Sequence, residues 1–191
     1  GDIVDKEAIA RATSVYLVDR TVPMLPEVLS NNLCSLRPNE EKLTFSAVFE
    51  MNAKAKVIKS WFGRTIIKSD RRFAYEEAQL ILENAGLAPD SGMNPSDIPN
   101  NKPARKPRGA ASEKEVIQAV IELQKLAAIM RKHRFESGSI SFERPEMKVI
   151  VDEKGRPVDV KQKISREANW LIEEFMLLAN KAVATYIAMG M

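Results

Sequence analysis

Apolar and polar positions alternate along two consecutive stretches of the chain, and this pattern predicts a β-hairpin. In residues 43–52 every second position is apolar, as expected for a strand that buries one face. Residues 57–67 are rich in β-branched and aromatic side chains, which favour extended strands. The stretch 52–54 between them begins with an asparagine, a residue that is common in turns. We therefore expect two antiparallel strands joined by a short turn.

Four other stretches have apolar residues at the three- and four-residue spacing of an amphipathic helix. They are residues 4–12, 73–85, 112–134 and 166–188. The third stretch begins with Ser112 and Glu115, which have the spacing of a capping box, and its apolar stripe includes Leu123 and Ala127. Ser165 stands where a serine would cap the last helix. That helix is apolar over a wide arc, so we expect it to be buried on more than one side.

Shorter extended runs predict further strands. They lie at residues 14–18, at residues 140–142, and in a second hairpin of residues 147–151 and 157–160. The order of hairpins and helices along the chain is mixed. The predicted fold class is therefore α+β, with antiparallel hairpins or a mixed sheet packed by long amphipathic helices.

Residues 87–111 differ in composition from the rest of the chain. They hold five of the ten prolines together with a basic run. The residues of that run are Lys102, Arg105, Lys106 and Arg108. Such a segment is too polar and too interrupted to build a core, so we expect a flexible insertion. Its cations could contact phosphates, but a solvated insertion without a fixed ligand is the interpretation that we favour.

Composition narrows the functional classes only slightly. The chain has 191 residues, 45% of them hydrophobic, and a net charge of +3, which is compatible with a polyanionic partner without requiring one. The single cysteine, Cys34, excludes an internal disulfide, and we expect it to be a buried thiol in a reducing compartment. Catalysis by Cys34 with the single histidine, His133, is disfavoured. The sequence contains no apolar run long enough to cross a membrane.

Four ordered blocks carry a specific resemblance. They are residues 5–52, which include RTVPMLPEVLSNNLCSL, residues 61–79 (WFGRTIIKSDRRFAYEEAQ), residues 134–146 (RFESGSISFERPE) and residues 167–184 (EANWLIEEFMLLANKAVA). These blocks resemble the RNB nuclease domain of the ribonuclease II and ribonuclease R family, and the ribonuclease R type most closely. The resemblance implies that residues 1–191 form the central and C-terminal-central part of such a domain, with the proline-rich insertion at about residues 87–111.

The resemblance also implies which residues contact RNA. Tyr16 lies where the family stacks a tyrosine on the terminal nucleotide, and Tyr75 lies at a second tyrosine position of the family. Glu173 or Glu174 lies where the family has an acid near the RNA path. A tyrosine hydroxyl and a carboxylate can both bond a ribose 2′-hydroxyl. The residues alone allow another interpretation, in which both tyrosines pack within the fold and the acids are solvated.

The family implies a Mg²⁺ ion held by clustered aspartates, which promotes hydrolysis of single-stranded RNA from the 3′ end to nucleoside 5′-monophosphates. The eight aspartates of this chain are scattered, so we expect no catalytic residue and no metal ligand in it. The aspartate cluster is expected upstream of residue 1. The chain is then a cytoplasmic exoribonuclease fragment that is inactive alone and contacts single-stranded RNA, with Mg²⁺ only in the parent enzyme. A non-catalytic RNA-binding or protein-interaction module is the alternative, and exposed truncated surfaces would favour self-association.

Overall fold

The computed structural model describes residues 1–18, 20–93, 112–140, 146–152 and 156–190. In chain order its elements are α1 (Ile3–Arg11), β1 (Val15–Tyr16), β2 (Thr21–Val22), a π-helix (Val28–Leu33), β3 (Glu41–Met51), β4 (Val57–Lys68), α2 (Tyr75–Asn84), α3 (Glu113–Glu136), β5 (Glu146–Val151), β6 (Pro157–Lys163) and α4 (Glu167–Ala188). The predicted α+β class is confirmed, and the strands of the described residues pair as three antiparallel hairpins. The chain divides into two compact units.

The first unit contains Gly1–Leu36 together with Phe142–Ile164. In it, β1 and β2 form a very short hairpin in which Tyr16 pairs with Thr21. The strands β5 and β6 form the second predicted hairpin, with Val149 opposite Val160. Cys34 follows the π-helix and is exposed, so the prediction of a buried thiol was wrong.

The second unit contains Arg37–Ser141 together with Ser165–Met191, and β3 and β4 form its long hairpin. One face of this hairpin is covered over only half its length. Near the turn, the ring of Phe62 lies 6.1 Å from that of Phe49 and 4.8 Å from that of Tyr186 on α4. Towards the open end, Leu43 and Phe45 are 85% and 80% exposed. The alternating pattern therefore marks an apolar face, half of which lacks a cover within the second unit.

Three helices form the remainder of the second unit, because α2, α3 and α4 all pack against one another. Their buried apolar residues are Leu82, Ala127, Ala168 and Leu171. This core is small. The prediction that α4 is buried on more than one side is met only in part, because α4 packs against α2 and α3 while Ile172 and Met176 on it are about half exposed. Within the described residues, no helix is both long and apolar enough to cross a membrane.

Local signals in the sequence predicted the helix ends well, with one correction. The capping box of α3 is present, because Ser112 Oγ accepts from the Glu115 amide at 3.2 Å and the Glu115 side chain accepts from the Ser112 amide at 2.6 Å. The cap of α4 is Arg166 and not Ser165, since the Asn169 side chain accepts from the Arg166 amide at 3.0 Å.

Other predictions concern α3 and its two ends. On α3 the buried residues are Gln124 and Ala127, so the predicted stripe is right at Ala127, while Leu123 is 39% exposed. Ile140 belongs to no strand, and the other two residues of the predicted strand 140–142 lie outside the described residues. Most of the predicted insertion also lies outside them, namely residues 94–111.

Candidate functional site

An ion pair between a partly exposed arginine and a buried glutamate joins the end of α3 to α4. The Arg134 Nε atom donates to Glu174 Oε1 at 3.0 Å and to Oε2 at 3.3 Å, and its Nη2 donates to Oε1 at 2.5 Å. The Glu174 side chain is only 4% exposed. A buried carboxylate needs such partners, because removing a charge from water without a counter-charge is very costly. Glu174 is therefore fully engaged by Arg134 in this fold.

The neighbouring Glu173 shares the same arginine but faces outward. Arg134 Nη2 donates to Glu173 Oε1 at 3.0 Å, while the Glu173 side chain remains 40% exposed. Arg131 Nη1 lies 4.0 Å from Glu173 Oε2 and 3.9 Å from Glu174 Oε1. Two arginines of α3 thus face two consecutive glutamates of α4, and the four charges cancel. We call Arg131, Arg134, Glu173 and Glu174 the charge cluster.

Aromatic rings hold Arg131 in place beside the charge cluster. Its guanidinium carbon lies 4.3 Å from the ring centroid of Trp170 and 4.8 Å from that of Phe135. Stacking of a guanidinium on aromatic faces is favourable and orients its flat group. These residues also line a cavity of about 410 Å³ whose wall includes the buried side chain of Gln124.

A second polar link joins α2 to the beginning of α4. The side chain of Gln79 is buried, accepts from the Ala168 amide at 3.1 Å and donates to Glu167 Oε2 at 3.0 Å. The first amides of a helix have no partner within the helix, so Gln79 satisfies one of them from outside. This link fixes the position of α2 relative to α4, which carries the charge cluster.

Tyr75 is the first residue of α2 and is 50% exposed. It precedes Gln79 by four residues, which is about one helical turn. Arg71, just before the helix, is ion-paired with Glu77 in its first turn and stacks on Phe73, with 4.4 Å between the guanidinium carbon and the ring centroid. The backbone at Tyr75 is therefore held by contacts of the residues before and after it in the chain, while the Tyr75 side chain remains partly exposed to solvent.

Tyr16 lies in the first compact unit, in β1, and is 81% exposed. The interpretation in which Tyr16 packs within the fold is wrong, because the structure shows its side chain almost fully exposed to solvent. The structure thus brings Tyr75, Glu173 and Glu174 onto packed helices of one unit and leaves Tyr16 in the other.

The sequence did not indicate Arg131, Arg134 or Gln79 as partners of these residues. One signal was available, because Glu174 follows Leu171 by three positions and therefore lies on the buried stripe of α4. An acid in that place requires a cation from a neighbouring helix. The hydrogen bond to Glu174 raises the pKa of the Arg134 guanidinium above its ordinary value, so the guanidinium stays charged.

The described residues do not fit the Mg²⁺ ion that the resemblance implies. Nowhere in ranges 1–18, 20–93, 112–140, 146–152 and 156–190 do three or more histidine, cysteine, aspartate or glutamate side chains converge as a metal site would require. The acids of the charge cluster are already neutralised by two arginines. No catalytic step through a metal can be derived from these residues.

Comparison with known proteins gives the wider context of this site. The RNB domain family model matches residues 1–190. The chain is 41% identical over 187 residues to DIS3-like exonuclease 2 of Schizosaccharomyces pombe, a match that covers 97% of this chain and 19% of that protein. It is 36% identical over 183 residues to ribonuclease R 1 of Lactococcus lactis, covering 96% of this chain and 20% of that protein.

A solved structure has the same fold. Mycoplasma genitalium RNase R, in complex with ribose-methylated single-stranded RNA, superposes on this chain with a TM-score of 0.80 at 24% identity, covering 100% of this chain and 26% of the other. The chain spans about a fifth of the length of the two relatives named above.

Proposed function

Because the chain belongs to the RNB domain family, we propose that it forms part of the RNA-contact surface of a 3′-to-5′ exoribonuclease that degrades single-stranded RNA to nucleoside 5′-monophosphates. In this proposal residues 1–191 are the central and C-terminal-central part of the nuclease domain. The observation that carries it is the placement of Tyr75 and Glu173, two half-exposed polar side chains, on helices that buried polar links hold together.

Tyr16 and Tyr75 would contact RNA in different ways. The exposed ring of Tyr16 supports a role as a stacking platform, since stacking of a base on an aromatic ring is sequence-tolerant. Tyr75 with Glu173 would bond the ribose 2′-hydroxyl, the group that separates RNA from DNA. Of the two acids, the burial of Glu174 favours a supporting role for it and leaves Glu173 as the one that faces RNA.

Hydrolysis would require groups that another part of the protein supplies. In the whole enzyme, Mg²⁺ would promote attack of water on the scissile phosphate. We propose that this chain holds no metal and is inactive alone, because its described acids do not converge. We further propose a cytoplasmic location, supported by the free thiol of Cys34, which suits a reducing compartment.

The RNA-contact role is tested by fluorescence anisotropy of a labelled single-stranded RNA with the purified chain. We expect Tyr16→Leu and Tyr75→Leu each to weaken binding by about 1–3 kcal/mol, because a stacked or hydrogen-bonded ring is lost. Tyr186→Leu is the matched control, because that ring packs on Phe62 instead. Equal binding by the wild-type chain and both test variants would contradict the proposal.

A non-catalytic interaction module is the second candidate. It is favoured by the exposed apolar side chains of the β3–β4 hairpin, since patches of this kind often mark contact surfaces. The same surface supports self-association of the chain. Salt-insensitive dimerisation without RNA binding would favour this candidate over the first.

A further inference from the structure

Arg134 connects two neighbouring acids that differ in exposure. Its Nη2 donates to Glu173 Oε1 at 3.0 Å, and its Nε and Nη2 both bond the buried Glu174. A guanidinium is planar and presents its donors in a fixed fork, so one arginine can fix the orientation of two carboxylates at once. The exposed carboxylate of Glu173 is thereby held by a group whose own position is set by buried bonds.

The two oxygens of Glu173 are not equivalent. Oε1 is engaged by Arg134, whereas Arg131 Nη1 lies 4.0 Å from Oε2, which is beyond hydrogen-bond distance. Among the described residues no donor bonds Oε2. Oε2 can therefore accept a hydrogen bond from a ligand while Oε1 stays tied to the protein.

We propose that Arg134 is a positioning residue, which holds Glu173 so that its Oε2 accepts the 2′-hydroxyl of bound RNA, with Glu174 as the buried support of Arg134. This inference rests on the proposed function, because it requires Glu173 to contact RNA. Without the fork, the Glu173 side chain would be a flexible group on a helix surface, and binding would have to order it. Arg134 would therefore contribute to the preference for RNA over DNA without touching either.

The test compares binding of a fluorescein-labelled 12-nucleotide oligo(U) RNA with that of the matching oligo(dU) DNA. The readout is the ratio of the two dissociation constants, DNA to RNA. Arg134→Lys keeps the positive charge but loses the fork, and we expect it to lower the ratio about fivefold. Glu173→Gln should lower the ratio by at least as much. The double variant should be no lower than Glu173→Gln alone, because both changes remove the same interaction.

Controls separate positioning from stability. Arg64→Lys makes the same substitution at an exposed arginine on β4, and Leu82→Ala destabilises the core from α2, a helix that carries no residue of the charge cluster. Neither should change the ratio, even though Leu82→Ala lowers the melting temperature. If Arg134→Lys fails to fold, the double variant Arg134→Gln with Glu174→Gln leaves no unpaired buried charge and should lower the ratio to the same extent.

The outcomes are distinguishable. An unchanged ratio in Arg134→Lys beside a lowered ratio in Glu173→Gln overturns the positioning role and leaves the proposed function intact. A ratio that Glu173→Gln does not change overturns the RNA contact of that acid, and the positioning role with it. Equal affinity of the wild-type chain for RNA and DNA overturns the 2′-hydroxyl contact, and the positioning role with it, but leaves the RNA-contact surface intact. No binding of either nucleic acid overturns the proposed function as well.

Discussion

Arg134 and the buried Glu174 form a partly buried ion pair in which Arg134 Nε lies 3.0 and 3.3 Å from the two carboxylate oxygens. The pair joins α3 to α4 at the point where Glu173 emerges into solvent. A contact of this kind contributes little net stability compared with an apolar pair, but breaking it on one side is costly. The same arginine also bonds Glu173, so the pair fixes the group that holds the exposed acid.

Arg134→Met should destabilise the chain, because it leaves the buried carboxylate of Glu174 without its bonded partner. We expect the free energy of unfolding, measured by urea denaturation, to fall by about 3 kcal/mol. Lys132→Met is the matched control, because Lys132 is exposed and forms a surface ion pair with Glu136 at 3.8 Å. We expect this control to lower the free energy of unfolding by less than about 0.5 kcal/mol. A similar small loss for both variants would show that Glu174 does not depend on Arg134.

The same substitution gives a prediction about pH. The pKa of Arg134 is raised in the folded state. The stabilisation that this arginine contributes is therefore fully present below its unfolded-state pKa and is lost only as the pH rises through its folded-state pKa. Both values lie far to the alkaline side of neutrality. The stability difference between wild type and Arg134→Met should therefore be the same at pH 7 and pH 9. A difference that shrinks between these pH values would contradict the assignment.

Gln79→Leu should loosen the junction between α2 and α4. The substitution leaves the Ala168 amide and the Glu167 carboxylate without their buried partner, which we expect to cost about 1–3 kcal/mol. Hydrogen exchange at the Ala168 amide should accelerate, and thermal unfolding should occur at a lower temperature. Gln118→Leu, at an exposed position on α3, should leave both quantities unchanged.

Much of the fold could be predicted because its determinants are local. The alternation in β3 and the capping box of α3 lie within a few residues of the structure they specify. The cap of α4 was predicted one residue too early, because Ser165 offers a suitable hydroxyl and the decisive bond comes from Asn169. Gln124 is buried on α3, whereas the apolar stripe predicts burial of Leu123. The packing of α3 against two helices sets the rotation of α3 about its own axis, and a local pattern does not specify that packing.

The site could be predicted only in part, because its decisive contacts join distant parts of the sequence. Arg134 and Glu174 are 40 residues apart, and Gln79 and Ala168 are 89 apart. Helix packing creates these pairs, and no local pattern specifies which arginine meets which glutamate. The choice between Glu173 and Glu174 likewise depended on their burial.

The uncovered half of the β3–β4 face should make the chain self-associate. Leu43→Gln with Phe45→Gln should abolish concentration-dependent light scattering at little cost in stability, because both side chains are almost fully exposed. Val158→Gln with Ile187→Gln is a control at exposed apolar positions on other elements and should leave the scattering unchanged. Undiminished association of the Leu43 and Phe45 variant would assign the contact to another surface.

The central claim is that this chain contributes RNA contacts while the metal-dependent chemistry belongs to another segment of the protein. Its most direct test is incubation of the purified chain with a 3′-labelled single-stranded RNA and either Mg²⁺ or Mn²⁺, with release of labelled mononucleotide followed over time. The account predicts binding of the RNA without any release of mononucleotide. Steady release that depends on the added metal would contradict it.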